Sequence, residues 1–326
     1  MIDAMSGTTS PDVRNAPDSA EAPARSHGVV MSAFLALVLI GGSNFVAVRF
    51  TTFGLDPLWG AGSRFSLAAI LLVVIGLAIR APFPRGRAFV GASLFGLLSF
   101  GVFYALTYLA LVNAPSAVAA VVLAVVPLVT FLLALLQRQE RFRWQGLVGG
   151  LVALGGMGLM VGTPNVPLAS FLMLAGAALA AGEAGVIAKW FPRTHPVTMN
   201  AVAMAVGSLL LLLISLWRRE SWILPVDTAT WAVQIYLITI GSVGLFVLYL
   251  FVLKRWTATR TAFAFVLFPV VATALGLWLL GDPITAPLAV GSLIVLSGVY
   301  IGAVHGALSG EAAQASRPLN KASGGR

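Results

Sequence analysis

Pro127 and Pro269 lie 142 residues apart, and that single offset brings a whole segment of the chain into register with another. It pairs Val129 with Val271, Leu133 with Leu275, Glu140 with Asp282, Gly149 with Gly291, Leu151 with Leu293, Leu154 with Leu296 and Gly156 with Gly298. The loop inside the first copy, QRQERFRW, is basic, whereas its counterpart, LLGDPITAP, has no Lys or Arg. One helix upstream the bias reverses: VNAPSA carries no base and KRWTATR carries Lys254, Arg255 and Arg260. Two copies of one unit with opposite charge bias are expected to thread a bilayer in opposed senses, an architecture that belongs mainly to transporters.

Composition agrees with a bilayer rather than water as the solvent. The chain is 59% hydrophobic and only 10% charged, which does not describe a soluble surface. Apolar stretches of roughly 18 to 24 residues recur about ten times, each long enough to cross a ~30 Å hydrocarbon core as a helix. The sequence has no cysteine, so disulfides and thiolate metal sites are excluded. The net charge of +9 sits in short loops between apolar spans, where bases orient helices and touch anionic lipid; nucleic acid is not an expected partner. Residues 1–28 and 308–326 lack apolar periodicity and read as disordered tails, and the first lacks the layout of a secretory signal.

The expected spans are 30–50, 57–80, 88–111, 115–136, 145–162, 168–190, 197–217, 231–253, 259–280 and 286–307. With the N-terminus in the cytoplasm, 16 of the 20 Lys and Arg residues fall inside, Arg49, Arg218 and Arg219 fall outside, and Arg64 lies within a span. The expectation is an all-α integral membrane fold. It has ten transmembrane helices as two inverted five-helix repeats, 29–163 and 164–307, with both tails cytoplasmic.

Several segments carry a family resemblance. They are GGSNFVAVRF in span 1, DPLWGAGSRFSLAA opening span 2, APSAVAAVVLAVVPLVTFLLALLQRQERFRWQGLVGGLVALGGMGLMV across spans 4 and 5, and TATRTAFAFVLFPVVATALGLWLLGDPITAPLAVGSLIVLSGVYIG across spans 9 and 10. Together they resemble the EamA type of the drug/metabolite transporter superfamily, over about residues 30–307. One departure is Asp282, where the second half usually carries Glu. The resemblance implies a central cavity enclosed by spans 1–4 and 6–9, with spans 5 and 10 as outer braces. It also implies export of small amphipathic metabolites, such as amino acids, across the inner membrane, and it fixes no substrate.

Two ionisable residues lie well inside spans, Arg64 and Glu183, and a charge at the bilayer centre costs about 2.5–3.5 kcal/mol on insertion scales. Glu183 is about seven residues, or ~10 Å, from the inner end of span 6, too deep for its short side chain to reach the interface. It is read as a protonatable coupling group or a counter-charge for a substrate amine; the alternative is a carboxyl satisfied by one hydrogen bond. Aligning Gly42 with Gly182 sets Ser43 opposite Glu183, Asn44 opposite Ala184 and Arg49 opposite Lys189. Ser43 and Asn44 are candidate substrate contacts, or simply bonds between helices. Arg49 and Lys189 read as interfacial anchors. Arg64 reads as structural, its stem reaching the outer interface or the last carbonyls of span 1.

Tyr104 and Tyr108 on span 3, with Phe246 and Tyr249 on span 8, are candidates to wall a cavity for amphipathic solutes; packing is the alternative. Pro127 and Pro269 read as symmetric bends, hinged or fixed. Gly149, Gly150, Gly155, Gly156 and Gly158 in span 5 allow close helix contact, suiting bracing or dimerisation, so the chain is a monomer or a homodimer. His27, His195 and His305 stand without HExxH, paired Asp or Cys, so neither a membrane enzyme nor a bound cofactor or metal is expected. A pore would favour polar rings along its length, and spans 3, 4, 8 and 9 show few. The leading expectation is a carrier working by alternating access, with protons as candidate coupling ion and an uncoupled facilitator as the alternative.

Overall fold

A computed structural model of the protein describes residues 21–139, 142, 144–160, 167–192, 194–253, 255 and 258–301. The tail residues 1–20 and 308–326, Glu140, Arg141, Arg143, Arg193, Lys254 and the side chain of Arg260 lie outside the described residues. Among the described residues all regular structure is helical. In chain order the helices are α1 (Glu21–Thr51), α2 (Pro57–Ala78), α3 (Arg87–Leu111), α4 (Ser116–Leu136), α5 (Trp144–Met160), α6 (Leu168–Ala188) and α7 (Pro196–Trp217). They continue with α8 (Thr228–Ile238 running on through Leu245–Leu253), α9 (Ala258–Leu275) and α10 (Ala286–Val299). α1 starts at Glu21, inside the stretch read as a tail.

Local chemistry sets the helix starts. Pro57, Pro196 and Pro287 occupy first-turn positions, where a fixed φ helps and the missing amide costs nothing. Asp227 and Thr285 cap α8 and α10 by accepting from the amides of Thr230 and Leu288. Among the described residues seven helices are long and apolar enough to cross a membrane: Gly28–Thr51 of α1, then α2, α3, α4, α6, α7 and Thr228–Tyr249 of α8. Trp144–Leu159, Ala264–Leu280 and Ala286–Val299 are shorter apolar helices. Their outer faces are greasy: Ile70, Val74 and Leu77 on α2, Leu151 and Leu154 on α5 and Leu293 on α10 are all exposed, which suits acyl chains and not water.

The two halves interlock by exchange. α1 packs on α8 and α9, while its counterpart α6 packs on α3 and α4. Glycine makes both approaches possible. A Cβ at Gly42 would stand 2.5 Å from Val271 Cβ, and one at Gly182 would stand 2.9 Å from Val129 Cγ1. Those are the same pairs, Gly42 with Gly182 and Val129 with Val271, that align in the sequence. α5 and α10 cross equally closely: a Cβ at Gly156 would meet Gly291 O at 2.7 Å, and one at Gly298 would meet Gly149 O at 2.5 Å. α2 packs on α7 at the other side of the bundle. Gly155 and Gly158 face open space, so the close contact of α5 with α10 rests on Gly156 and on the backbone at Gly149 rather than on every glycine of the span.

Two features carry no residue signature. α3 passes through a π-helical turn at Leu97–Val102 and α8 through another at Thr239–Gly244, in register at the 142-residue offset. The prolines, in contrast, do not make matching bends. α4 breaks at Ala124–Val125 and restarts with Pro127 in the first turn of Val126–Leu136, whereas Pro269 sits inside unbroken α9. A proline in a first turn sacrifices no hydrogen bond, and one in a helix interior does, so the two prolines act differently on their helices.

Helix junctions sort onto two faces. Contacts join the α1–α2, α3–α4, α7–α8 and α9–α10 junctions on the first face: Asp56 Oδ2 accepts from Ser221 N at 2.6 Å, and Arg49 lies 3.3 Å from Asp282. On the second face, Thr198 Oγ1 donates to Pro82 O at 2.7 Å, joining the starts of α7 and α3.

Candidate functional site

α1 brings Ser43 and Asn44 against α8. The hydroxyls of Ser43 and Tyr236 lie 2.6 Å apart, and Asn44 Nδ2 donates to Gly241 O at 3.0 Å. The π-helical turn explains the second bond. Its extra residue loosens the i to i−4 ladder and leaves carbonyls for partners outside the helix. Gly241 has no side chain to obstruct them: a Cβ there would stand 2.4 Å from Asn44 Oδ1. Asn44 Oδ1 itself is buried without a hydrogen-bond partner.

Two clefts flank the Ser43–Tyr236 bond. One, of about 330 Å³, is lined by Ser43, Val46, Ala47, Phe50, Val233, Tyr236, Leu275, Leu279 and Leu280. The other, of about 460 Å³, lies among Leu39, Ile40, Ser43, Tyr236, Val270, Val271, Ala274 and Leu275. Both have apolar walls with the two hydroxyls as polar features. Such a surface holds a solute with an apolar body and a single polar group.

Arg64 is fully buried and turns inward, not toward the interface or α1 as the sequence suggested. Its Nε donates to Ser242 Oγ at 3.0 Å, NH2 to Gly241 O at 3.1 Å and NH1 to Tyr108 OH at 3.3 Å. The π-helical turn again supplies two of the three acceptors, and α3 supplies the third. The guanidinium also lies 4.8 Å from the Phe65 ring centroid and 5.5 Å from that of Tyr104. Neutral oxygens and ring faces hold this cation, tying α2, α3 and α8 together.

Glu183 sits on α6 five residues before Ala188, and it meets α4, not α1. Gln137 Nε2, at the C-cap of α4, is 2.8 Å from each carboxylate oxygen. Gln139 Nε2 adds a bond to Val186 O at 3.2 Å. Ser43 and Glu183 therefore occupy corresponding helices but address different partners, α8 and α4 respectively. Gln137 and Tyr236 escaped sequence reasoning. Gln137 looked like part of a basic loop, and nothing distinguishes Tyr236 from an interfacial aromatic until α1 is docked.

The aromatic pairs do not face each other across one cavity. Tyr108 is fully buried against Arg64, and Tyr104 packs on Phe65 at 4.4 Å between centroids and on Phe103 at 4.8 Å. Tyr249 packs instead with Phe34, Leu37 and Val252, and Phe246 is half-buried. Among the described residues no ring contact joins the two pairs.

Arg49 is not a free interfacial anchor. Its NH2 lies 3.3 Å from Asp282 Oδ1, and its NH1 donates to Ala114 O. Asp282 Oδ2 in turn accepts from Ser116 N at 2.9 Å and Ser116 Oγ at 2.7 Å. Nearby, Glu220 accepts from the amide of Trp59 at 2.8 Å and from Ser215 Oγ at 2.8 Å, and Trp59 stacks on Trp222 at 4.9 Å. Among the described residues no group of three His, Asp or Glu could hold a metal ion.

Exchanged helices and a twice-used glycine pattern describe one unit present in duplicate, and a single family model matches both copies. The model of the EamA-like transporter family matches residues 28–162 and again 168–303. The chain belongs to the EamA-like transporter family. Other relatives of this EamA protein agree. The Escherichia coli (strain K12) protein named "Uncharacterized inner membrane transporter YedA" is 30% identical over 266 residues, covering 78% of this chain and 84% of its own. An Archaeoglobus fulgidus protein named "Uncharacterized transporter" is 25% identical over 276 residues, covering 81% of this chain and 95% of its own. A solved crystal structure, 20% identical, shares the fold with a TM-score of 0.62 over 86% of this chain and 99% of that one. This EamA protein is thus a multi-pass membrane protein of a transporter family.

Proposed function

We propose that this EamA protein is a secondary transporter of the inner membrane that exports small amphipathic metabolites, such as amino acids, by alternating access. Ten spans form two inverted five-helix repeats, and both termini are cytoplasmic. The first face is then periplasmic and the second cytoplasmic. The observation that carries this reading is the reciprocal exchange of α1 and α6 between the halves, glycine against valine in both directions. An interlock of that kind lets the two halves rock against each other about a pseudo-two-fold axis. The excess of Lys and Arg on the second face supports the orientation.

The cargo meets the clefts at Ser43 and Tyr236, with Asn44 Oδ1 as an unused acceptor beside them. Glu183 is the coupling carboxylate, and Gln137 registers its state because α4 ends on the amide that binds it. A second reading, uncoupled facilitation, draws on the same bond: a carboxyl already satisfied by Gln137 can serve simply to dock α6 on α4. Reconstituted wild type and Glu183→Gln decide between them. Amino-acid efflux under an imposed pH gradient should respond to the gradient in wild type and not in the variant. An identical response in both rejects the proton role.

A further inference from the structure

We propose that Arg49, Asp282 and Ser116 form the latch that closes the periplasmic face of this carrier and that must open for its cargo to leave. The inference rests on the alternating-access reading above. Its starting point is how Asp282 reaches its partners. α9 ends in a π-helical turn, Gly276–Leu280, and Gly281 adopts the left-handed conformation, φ +64°, that glycine tolerates without strain. The chain reverses there, and Asp282 N donates back to Gly276 O at 3.1 Å. The carboxylate is thereby delivered, 4% exposed, into the gap between the halves.

Every group it meets there belongs to the first half. Ser116 offers its amide and its hydroxyl, and that amide is in the first turn of α4, where an anion is favoured. Arg49, at the end of α1, offers NH2 and fastens itself to the α3–α4 junction through Ala114 O. One carboxylate thus pins the ends of α1 and α4 to the end of α9. Phe50 and Leu280, which line the cleft at Ser43, neighbour Arg49 and Asp282 in the chain.

Two details distinguish a latch from a permanent staple. Arg49 Nε is buried without a partner, so the closed state leaves a donor unsatisfied that water would satisfy on opening. Ser116 and Asp282 also close over Gly276 with no room to spare. A Cβ there would stand 2.5 Å from Ser116 Oγ and 2.9 Å from Asp282 Oδ2.

The chain has no cysteine, so one introduced thiol reports access without a background and without a known cargo. Val46→Cys places it in the cleft wall, 3% exposed, one turn below Arg49. A membrane-impermeant maleimide added outside intact cells should label this thiol slowly. Adding Asp282→Asn or Arg49→Gln should speed labelling about tenfold, the scale of one lost charge-assisted bond. Gly276→Ala should speed it too, although it alters no charge, and the reversed pair Arg49→Asp with Asp282→Arg should slow it again. Monodisperse elution in detergent identifies which variants are folded. Equal labelling in folded Asp282→Asn, Gly276→Ala and the parent overturns the latch. Flux is read separately in vesicles. Amino-acid efflux with unchanged labelling rejects the latch and leaves the carrier, whereas faster labelling with no efflux of any amino acid rejects the carrier reading and leaves the closure.

Discussion

Ser43 on α1 and Tyr236 on α8 share a hydrogen bond of 2.6 Å although 193 residues separate them in the chain. Either hydroxyl can donate, and Ser43 Oγ also lies 3.0 Å from Ile40 O. The bond crosses between the repeats at the polar point that both clefts share. It therefore serves two ends, docking α1 on α8 and presenting, among the described residues, the hydroxyls that line those clefts.

Tyr236→Phe isolates the two roles, because it removes one oxygen and keeps the ring. Interhelical hydrogen bonds in membranes average about 0.6 kcal/mol and reach about 1.7 kcal/mol. The variant should lose stability within that range in a detergent melt. Ser43→Ala should add little once Tyr236 is Phe, because the bond the two hydroxyls share is already lost and only the local bond to Ile40 O remains. Fully additive losses would mean that the two hydroxyls act independently.

Gln137→Leu should be worse than its size suggests. It strips the half-buried carboxyl of Glu183 of both its hydrogen bonds from Gln137 and puts an apolar side chain against it, costing about 1–3 kcal/mol. Adding Glu183→Leu removes the carboxyl left without its donor and should recover most of that loss. Melting curves of the two variants in the same detergent check the ordering; a double variant less stable than Gln137→Leu alone contradicts it.

Those two bonds mark what could and could not be read from the sequence. Ser43 and Glu183 stand out because lipid makes polar atoms conspicuous, and the repeat aligns them. Their partners do not stand out, because docking across halves chooses them: α1 meets the second half and α6 the first. Arg64 was conspicuous too, but two of its three acceptors come from a π-helical turn, which has no composition of its own. Asp282 was visible as the repeat partner of Glu140, yet its ion pair with Arg49 needed the left-handed turn at Gly281. The matching prolines were the misleading signal, since one opens a helix segment and the other lies inside an unbroken one.

Acid should loosen the start of α8. Hydrogen bonds from Thr230 hold the Asp227 carboxyl below the usual carboxylate range. A depressed value in the folded state means that the cap contributes above the unfolded value of about 3.9 and is lost as pH falls through the folded one. Asp227→Asn keeps an acceptor at every pH. Hydrogen exchange at the Thr230 amide should accelerate on acidification in wild type relative to Asp227→Asn; parallel behaviour of the two proteins would refute the cap's role.

Gly155 and Gly156 are neighbours with opposite expectations. A Cβ at Gly156 would stand 2.7 Å from Gly291 O and 2.7 Å from Val295 N, and backbone cannot swing aside as a side chain can. Gly156→Ala must therefore push α10 away from α5, costing about 1–3 kcal/mol as overpacking does. A Cβ at Gly155 would meet nothing within 4 Å. Gly155→Ala should instead gain about 0.5–1 kcal/mol, because the unfolded chain loses freedom that the helix never used. The repeat supplies a further check, since Gly298 meets Gly149 O and Ala153 N as Gly156 meets Gly291 O and Val295 N. Gly298→Ala should fall with Gly156→Ala in a detergent melt. If α5 and α10 were independent braces, the two would not cost alike, and Gly155→Ala would not differ from either.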